Sequence, residues 1–377
     1  MGVASGSLQT TYTEQKQSKL WLRNRNWDLA FISLSVIFVP LPYIIYLIML
    51  QFGADADASR NIINAFVAVA IGGPHMMSTF LRTGLDKNFS QRYPMLIRSS
   101  IIIPIVVVSL AFLNLTLLLT VFFFWAATHV LHQVTYIVEL YNHKESKLIK
   151  GSAVTFWARA IDYGVIMTCL FPFAALKISQ GSFEVGTNDL TRVIPELFQQ
   201  AWFFYLMTAT FFAFLAAYAI KTYREYRGGY INWPKTVFMF LTIAVAFTIP
   251  SLPNLDTAFQ GMNTWHSFQY LALTFYIIKI RQQYGLLDTT APVVARFSKG
   301  KDSRGLFVLS TLMLTGSVIV FIVVYAMAGI IRPGIDNNTH FDIAYYTSIL
   351  SFLWIHYYHD HFLFTNFEAL DLSYEKQ

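Results

Sequence analysis

Long apolar stretches alternate with short polar segments along most of the chain. A helix needs about 20 predominantly apolar residues to cross the ~30 Å hydrocarbon core of a bilayer. About ten stretches meet this requirement, at 27–50, 61–82, 97–113, 115–141, 155–177, 197–221, 233–253, 257–280, 305–330 and 342–364. The third and fourth belong to one apolar run that is too long for a single span, and we divide it near Asn114. The pattern predicts an all-α fold, namely a polytopic integral membrane helical bundle.

The composition indicates that lipid is the main solvent of this chain. Hydrophobic residues make up 55% of the sequence and charged residues only 13%. A soluble domain carries about 25% charged residues, so the polar side chains that a water-facing surface requires are missing here. The single cysteine, Cys169, excludes a disulfide within the chain and cysteine-ligated zinc or iron–sulfur sites.

The distribution of charge predicts the orientation in the membrane. Lysine and arginine concentrate in alternate connections, at 16–25, 82–98, 144–150, 221–235 and 279–304, whereas the connections between these are acidic or mixed. This positive-inside pattern places both termini in the cytoplasm and argues against a nucleic-acid partner, despite the net charge of +6. We expect a cytoplasmic N-terminal segment (1–26), a single transmembrane domain (27–364) and a cytoplasmic C-terminal tail (365–377), in a multi-pass protein of the cell (inner) membrane.

Most of the nine histidines lie inside predicted spans, in the second, fourth, eighth and tenth. These spans run in one direction, and the histidines lie about 5 to 15 residues from the cytoplasmic ends, which at ~1.5 Å per residue places them in one layer of the membrane. An unpartnered imidazole is costly in hydrocarbon, and neutral imidazole is a common ligand of iron, zinc and copper. The candidate metal ligands are His75, His129, His132, His266, His356 and His359.

Further polar side chains share helical faces with these histidines. Each lies one turn from a histidine, or from another of these polar residues, on the same helix. A carboxylate in such a position can bind the metal or orient a ligating imidazole, and a phenol can handle protons. The candidate catalytic residues are Tyr136, Glu139, Tyr270 and Asp360.

The string Gly72-Gly73-Pro74-His75 resembles the Gly-x-Pro-His motif of the Brp/Blh family, bacterial membrane β-carotene dioxygenases. Later strings are similar in order, namely Thr128-His129, Trp265-His266 through Tyr270, and His356 through Phe362. Together they cover about a tenth of the chain. The chain departs from the family after His75, where Met-Met-Ser-Thr replaces Gly-x-x-Asp, and at Tyr270, where the family has a second histidine. The resemblance implies an iron held by histidines and dioxygen as co-substrate.

The sequence therefore favours a membrane non-haem metal oxidoreductase, an oxygenase that acts on a lipid-soluble substrate. Iron is the expected cofactor, with zinc and copper as alternatives. The expected partners are the lipid bilayer, an apolar small-molecule substrate and dioxygen. A di-iron enzyme like the membrane fatty-acid desaturases and hydroxylases is an alternative, although the adjacent histidine pairs of that class are missing here. A transporter that moves protons or metal ions along the histidines is an alternative from another class.

The predicted orientation can be tested with reporter fusions. A fluorescent protein that matures only in the cytoplasm should fluoresce when it is fused after Gln377, because the charge pattern returns the chain to the cytoplasm after the last span. The same reporter fused after Asp55, in the first acidic connection, is the control and should stay dark. A dark C-terminal fusion that is nevertheless expressed in the membrane would reject the assignment.

Overall fold

The computed structural model describes residues 19–148, 154–186, 188–365, 367–368 and 370–371. Most of the predicted N-terminal segment (1–26) and of the predicted C-terminal tail (365–377) lies outside the described residues. The described residues contain almost no sheet. The strands among them form one two-stranded antiparallel ribbon, made of β1 (Glu184–Val185) and β2 (Asn188–Asp189). The all-α prediction is confirmed.

Ten long helices make up most of the described residues. In chain order α1 to α10 span Arg25–Gln51, Ala56–Arg82, Pro94–Leu113, Leu115–Leu148, Phe156–Ser179, Ala201–Arg227, Trp233–Ser251, Leu255–Gln283, Arg304–Ile331 and Asn337–Leu363. Short helices at Lys87–Arg92, Leu287–Thr290 and Pro292–Ser298 and single 3₁₀ turns at Leu190–Val193 and Glu196–Gln199 lie in the connections.

Several long helices change their hydrogen-bonding pattern along their length. The segments are Arg25–Asp28, Leu29–Ser33 (π), Leu34–Phe38 (3₁₀) and Leu41–Gln51 in α1, Pro94–Ser99 and Ile102–Leu113 in α3, Phe156–Thr168 and Phe171–Ser179 in α5, Trp233–Thr248 and Ile249–Ser251 (3₁₀) in α7, and Arg304–Met313 and Thr315–Ile331 in α9. Proline lies in the first turn of several of these segments, where its missing N–H is tolerated.

The predicted boundary inside the long apolar run agrees with the structure. α3 ends at Leu113 and α4 begins at Leu115, as the division near Asn114 predicted. The Asn114 side chain accepts a hydrogen bond from the Leu117 N–H at 3.0 Å, which caps the start of α4. The predicted start of the sixth span at 197 was wrong, because Gln200 is extended and α6 begins at Ala201.

Eight of the helices are long and apolar enough to cross a membrane, which identifies the chain as a multi-pass membrane protein. The two long helices outside this group are α8 and α10. Both carry many polar residues, and most of these, including Gln269 and Asp360, are buried among the neighbouring helices. Their low hydropathy therefore reflects side chains that face the interior of the bundle.

α2 is the most irregular of the helices that carry histidines. It is α-helical over Ala56–Val67, widens to a π-helix over Ala68–Gly72 and resumes as an α-helix over Gly73–Arg82. Pro74 lacks the N–H that would continue the first ladder, which explains the change of pattern immediately before His75. Gly73 has no room for a side chain, because a Cβ there would lie 2.6 Å from Leu314 of α9.

The packing of the helices brings the histidine-bearing ones together. α2 contacts both α8 and α10, and α4 also contacts both α8 and α10. α8 additionally lies against α1, where a Cβ on Gly261 would overlap the carbonyl oxygen of Val39. The four helices α2, α8, α4 and α10 thus surround one interior volume of the bundle.

Candidate metal centre

Four imidazole rings meet inside this volume, one from each of α2, α4, α8 and α10. Around the ring of contacts, the centroid distances are 4.4 Å from His75 to His356, 4.9 Å from His356 to His129, 5.0 Å from His129 to His266 and 4.8 Å from His266 to His75. Neighbouring rings meet edge to face. All four side chains are buried. We call them the four-His cluster.

One ring nitrogen of each histidine points to a common centre. These four atoms all lie within 4.8 Å of one another. The Nε2 atoms of all four rings have no hydrogen-bond partner among the described residues, and neither does Nδ1 of His266. A buried polar atom without a partner costs about 1–3 kcal/mol, so a ligand shared by these four atoms would stabilise the fold.

The proton on His75 is placed by its neighbours. Its Nδ1 lies 3.2 Å from the Gly72 carbonyl oxygen, which can only accept, so Nδ1 must carry the proton. Ser267 Oγ, beside His266 on α8, lies 3.1 Å from the same nitrogen. The lone pair of a neutral His75 is therefore on Nε2, the atom that faces the centre of the cluster.

A hydrogen-bonded group of polar side chains fixes the ring of His356 in the same way. Its Nδ1 lies 2.5 Å from Thr79 Oγ1 and 3.3 Å from Asp360 Oδ2. Thr79 also contacts the Tyr270 hydroxyl at 2.6 Å, and this hydroxyl donates to Asp360 Oδ1 at 2.7 Å. With Nδ1 donating to this group, Nε2 of His356 presents its lone pair to the cluster.

Asp360 places a buried carboxyl group beside the cluster. Its side chain is fully buried, and its Oδ2 lies 3.8 Å from His129 Nε2 and has no hydrogen-bond donor among the described residues. A buried carboxylate is stable only beside a positive charge or several donors. A cation bound by the four imidazoles would supply that charge.

Each cluster histidine is followed, one helical turn later, by a polar side chain. These residues are Thr79, Gln133, Tyr270 and Asp360. Three of them form the hydrogen-bonded group at His356, and Gln133 donates to the His266 carbonyl oxygen at 3.1 Å, which joins α4 to α8. Thr79 and Gln133 were missed in the sequence, although their spacing of four residues from His75 and His129 is the same signal that identified Tyr270 and Asp360.

The donor set suits a transition metal. Metal–imidazole bonds are about 2.0–2.2 Å long, which requires ligand nitrogens roughly 3–4 Å apart. The cluster is close to this spacing, and the hydrogen bonds at His75 and His356 already hold those two rings in the tautomer that binds metal. Neutral imidazoles suit iron, zinc, copper and nickel, whereas calcium and magnesium prefer oxygen ligands.

The structure does not bring the other two candidate ligands into the cluster. His359 is buried on α10, but its Nε2 contacts Ser100 Oγ at 2.8 Å and its Nδ1 contacts Thr83 Oγ1 at 3.1 Å, so both ring nitrogens have partners. His132 is half-buried and packs against His361 and Phe364, with ring centroids 5.7 and 5.2 Å away. Among the candidate ligands, the cluster therefore contains His75, His129, His266 and His356.

The candidate catalytic residues divide in the same manner. Tyr270 and Asp360 belong to the group that contacts His356. Tyr136 is buried and stacks on Phe364 at 4.9 Å, and its hydroxyl has no partner among the described residues. Glu139 lies elsewhere, because its carboxylate pairs with Arg159 of α5 at 3.0 Å and accepts from the Tyr163 hydroxyl at 2.5 Å.

Comparison of the chain with protein-family models, with curated proteins and with solved structures finds no match. Inference about its function therefore depends on the geometry and chemistry of the four-His cluster.

Two histidines on the same helix give a matched test of the cluster. His356→Ala removes a nitrogen that faces the centre, so the purified protein should lose most of its bound metal. His359→Ala, one turn away and equally buried, should keep a metal content near that of the wild type. Metal per chain is measured by elemental analysis of the monodisperse fraction from gel filtration. Equal loss in both variants, or retention in both, would contradict the assignment.

Proposed function

We propose that this chain is a membrane oxidoreductase in which the four-His cluster holds a non-haem iron that reacts with dioxygen and oxidises a lipid-soluble substrate. The observation that supports this most directly is that four buried imidazoles turn unpartnered nitrogens to one centre. A bound iron would supply a centre for binding and activating dioxygen there. The order of the four motifs, which resembles the Brp/Blh family, also favours iron over zinc or copper.

A single metal ion is the arrangement we infer. The cluster offers four nitrogen ligands, which leaves coordination positions for dioxygen or substrate on a metal that prefers six. A di-iron centre would need a second group of ligands, and His132, His359 and His361 do not form one in the structure. The desaturase-like alternative therefore has less support than the mononuclear one.

An apolar cavity that reaches to within one helical turn of His266 along α8 supports a lipid-soluble substrate. It has a volume of about 170 Å³ and lies between α4, α5, α7 and α8. Its walls include Thr128, which precedes His129, and Met262, one turn before His266. Phe124 and Thr128 are exposed at its edge, so the cavity opens to the side of the bundle. Because drug-sized sites usually enclose ~300–1,000 Å³, this one would hold part of a long apolar molecule whose remainder lies in the bilayer.

The residues around the cluster would prepare it for such a reaction. Thr79 orients His356 through its Nδ1 and is itself held by Asp360 Oδ1, and the Asp360 carboxylate would compensate the charge of a bound cation. The Tyr270 hydroxyl provides a phenolic proton next to the cluster, held 2.7 Å from Asp360 Oδ1. This pair can hold or pass a proton at the edge of the cluster, while the buried surroundings exclude bulk water.

We further propose that the chain crosses the cell membrane ten times and that both termini lie in the cytoplasm. α8 and α10 are 29 and 27 residues long, enough to span, and their polar side chains face the interior. If α2, α4, α8 and α10 run in the same direction, the polar residues that follow the cluster histidines by one turn all lie on the same side of the cluster, toward the C-terminal ends of these helices. The contacts among Thr79, Tyr270 and Asp360 support this for three of the four helices.

A metal-ion transporter is the second candidate. The observation that favours it is the π segment of α2 directly before His75, since transporters bind ions where a membrane helix is interrupted. The two candidates differ in what happens to the metal. A transporter releases its ion across the membrane during each cycle, whereas an oxygenase retains it.

Oxygen consumption tests the proposed reaction. Protein loaded with Fe²⁺ under argon and then mixed with air-saturated buffer that contains β-carotene in micelles, as an apolar probe, should consume dioxygen with a stoichiometric loss of the probe. Asp360→Asn should keep the metal but lower turnover about 10–100-fold, because the carboxylate that holds Thr79 and Tyr270 beside His356 is lost. Asp302→Asn, an exposed carboxylate outside the cluster, is the control. Metal-replete protein that consumes no dioxygen, but carries Fe²⁺ into vesicles, would replace the oxygenase with the transporter.

A further inference from the structure

A second cavity lies beyond the four-His cluster, at the ends of α2, α8 and α10. It encloses about 470 Å³ and is lined by Arg82 at the end of α2, Arg281 in the last turn of α8 and Leu363 at the end of α10. Arg82 and Leu363 follow His75 and His356 by about two helical turns, which places this wall roughly 10 Å from the cluster. The cavity therefore lies close to the four-His cluster but contains none of its histidines.

Arg82 is the unusual residue of this cavity. Its side chain is buried, with 7% of the residue exposed, and within the described part of the chain it forms neither an ion pair nor a hydrogen bond. A guanidinium keeps its charge under all ordinary conditions, and one that borders a cavity without a carboxylate partner favours a bound anion there. The carboxyl group of Asp360 lies within the range of electrostatic interaction with Arg82, but the two side chains are not within ion-pair distance.

The same helix contains a buried arginine that is compensated. Arg60, at the opposite end of α2, is 5% exposed and lies 3.4 Å from Asp342 and 3.7 Å from Asp256. The fold thus provides carboxylates for a buried guanidinium where its role is to join helices. No carboxylate reaches Arg82 in the described residues, although its side chain borders an open cavity.

The remaining charges of the cavity do not balance Arg82. Arg281 is paired with Asp86 at 2.6 Å, and Arg92 lies 4.0 Å from Glu368 at the exposed rim. The charge of Arg82 remains uncompensated after these two pairs, so the net charge of the side chains that line the cavity is positive. Asn88, Thr289 and Thr290 add uncharged groups to its lining that can donate hydrogen bonds.

We propose that this cavity binds a phosphate group, which Arg82 holds through its guanidinium. Arginine matches the oxygens of phosphate with two parallel hydrogen bonds, and the dianion would supply the countercharge that the chain does not. The volume is larger than one phosphate needs and leaves room for the rest of a molecule that carries it. Two sources share this chemistry, free phosphate and the head group of a phospholipid. The proposal does not depend on a metal in the four-His cluster.

Thermal unfolding of the full-length protein in a neutral detergent tests the proposal. Inorganic phosphate and dihexanoyl phosphatidic acid are titrated separately at constant ionic strength, with dihexanoylglycerol as the uncharged lipid control. A ligand of the native state raises Tm in a saturable manner. We expect at least one phosphate compound to do so and dihexanoylglycerol to have no effect. A response to phosphatidic acid alone identifies a lipid head group, and a response to both identifies the phosphate group itself.

The assignment to Arg82 is tested with three variants. Arg82→Gln should weaken the apparent affinity at least about tenfold, because the charged donors are lost. Arg82→Lys keeps the charge and should retain part of the binding. Arg304→Gln alters an arginine that is 90% exposed and does not line the cavity, so its titration should match that of the wild type. No shift of the wild-type Tm with either phosphate compound would overturn the proposal, and so would an unchanged affinity in Arg82→Gln.

Discussion

Four imidazole nitrogens meet inside an apolar bundle without hydrogen-bond partners among the described residues, and the arrangement of α2, α4, α8 and α10 depends on this constraint. Each such nitrogen costs about 1–3 kcal/mol if nothing binds it. A metal cation bound there would accept all four lone pairs at once, and its charge would also stabilise the buried carboxylate of Asp360. A single ligand at the centre would thus convert several unfavourable terms into favourable ones, and it would join four helices that are far apart in sequence.

The same constraint explains why two of the histidine-bearing helices, α8 and α10, are less hydrophobic than the other long helices. α8 and α10 carry the groups that orient and compensate the cluster, so their interior faces are polar while their neighbours cover them from lipid. The π segment of α2 serves a related purpose, because it adjusts the helix immediately before His75, whose Nδ1 is bonded to the Gly72 carbonyl oxygen.

The existence of the helices and the meeting of histidines from four of them could be predicted from the sequence, because both follow from patterns within single helices. The choice between His356 and His359 could not, since the two lie one turn apart on one face of α10. That choice is made by Ser100 and Thr83, which occupy both nitrogens of His359 and come from other parts of the chain. Glu139 illustrates the same limit, because its partner Arg159 lies on α5. By contrast, Thr79 was detectable, since it follows His75 by one turn.

X-ray absorption spectroscopy of the protein as purified tests the central claim most directly. The energy of the absorption edge identifies the element, and the fine structure gives the ligands and their distances. The account predicts an iron edge and a first shell of light atoms at about 2.0–2.2 Å, with the outer-shell scattering of about four imidazole rings. A folded preparation without a transition metal, or a first shell made of oxygen or sulfur without imidazole scattering, would contradict it.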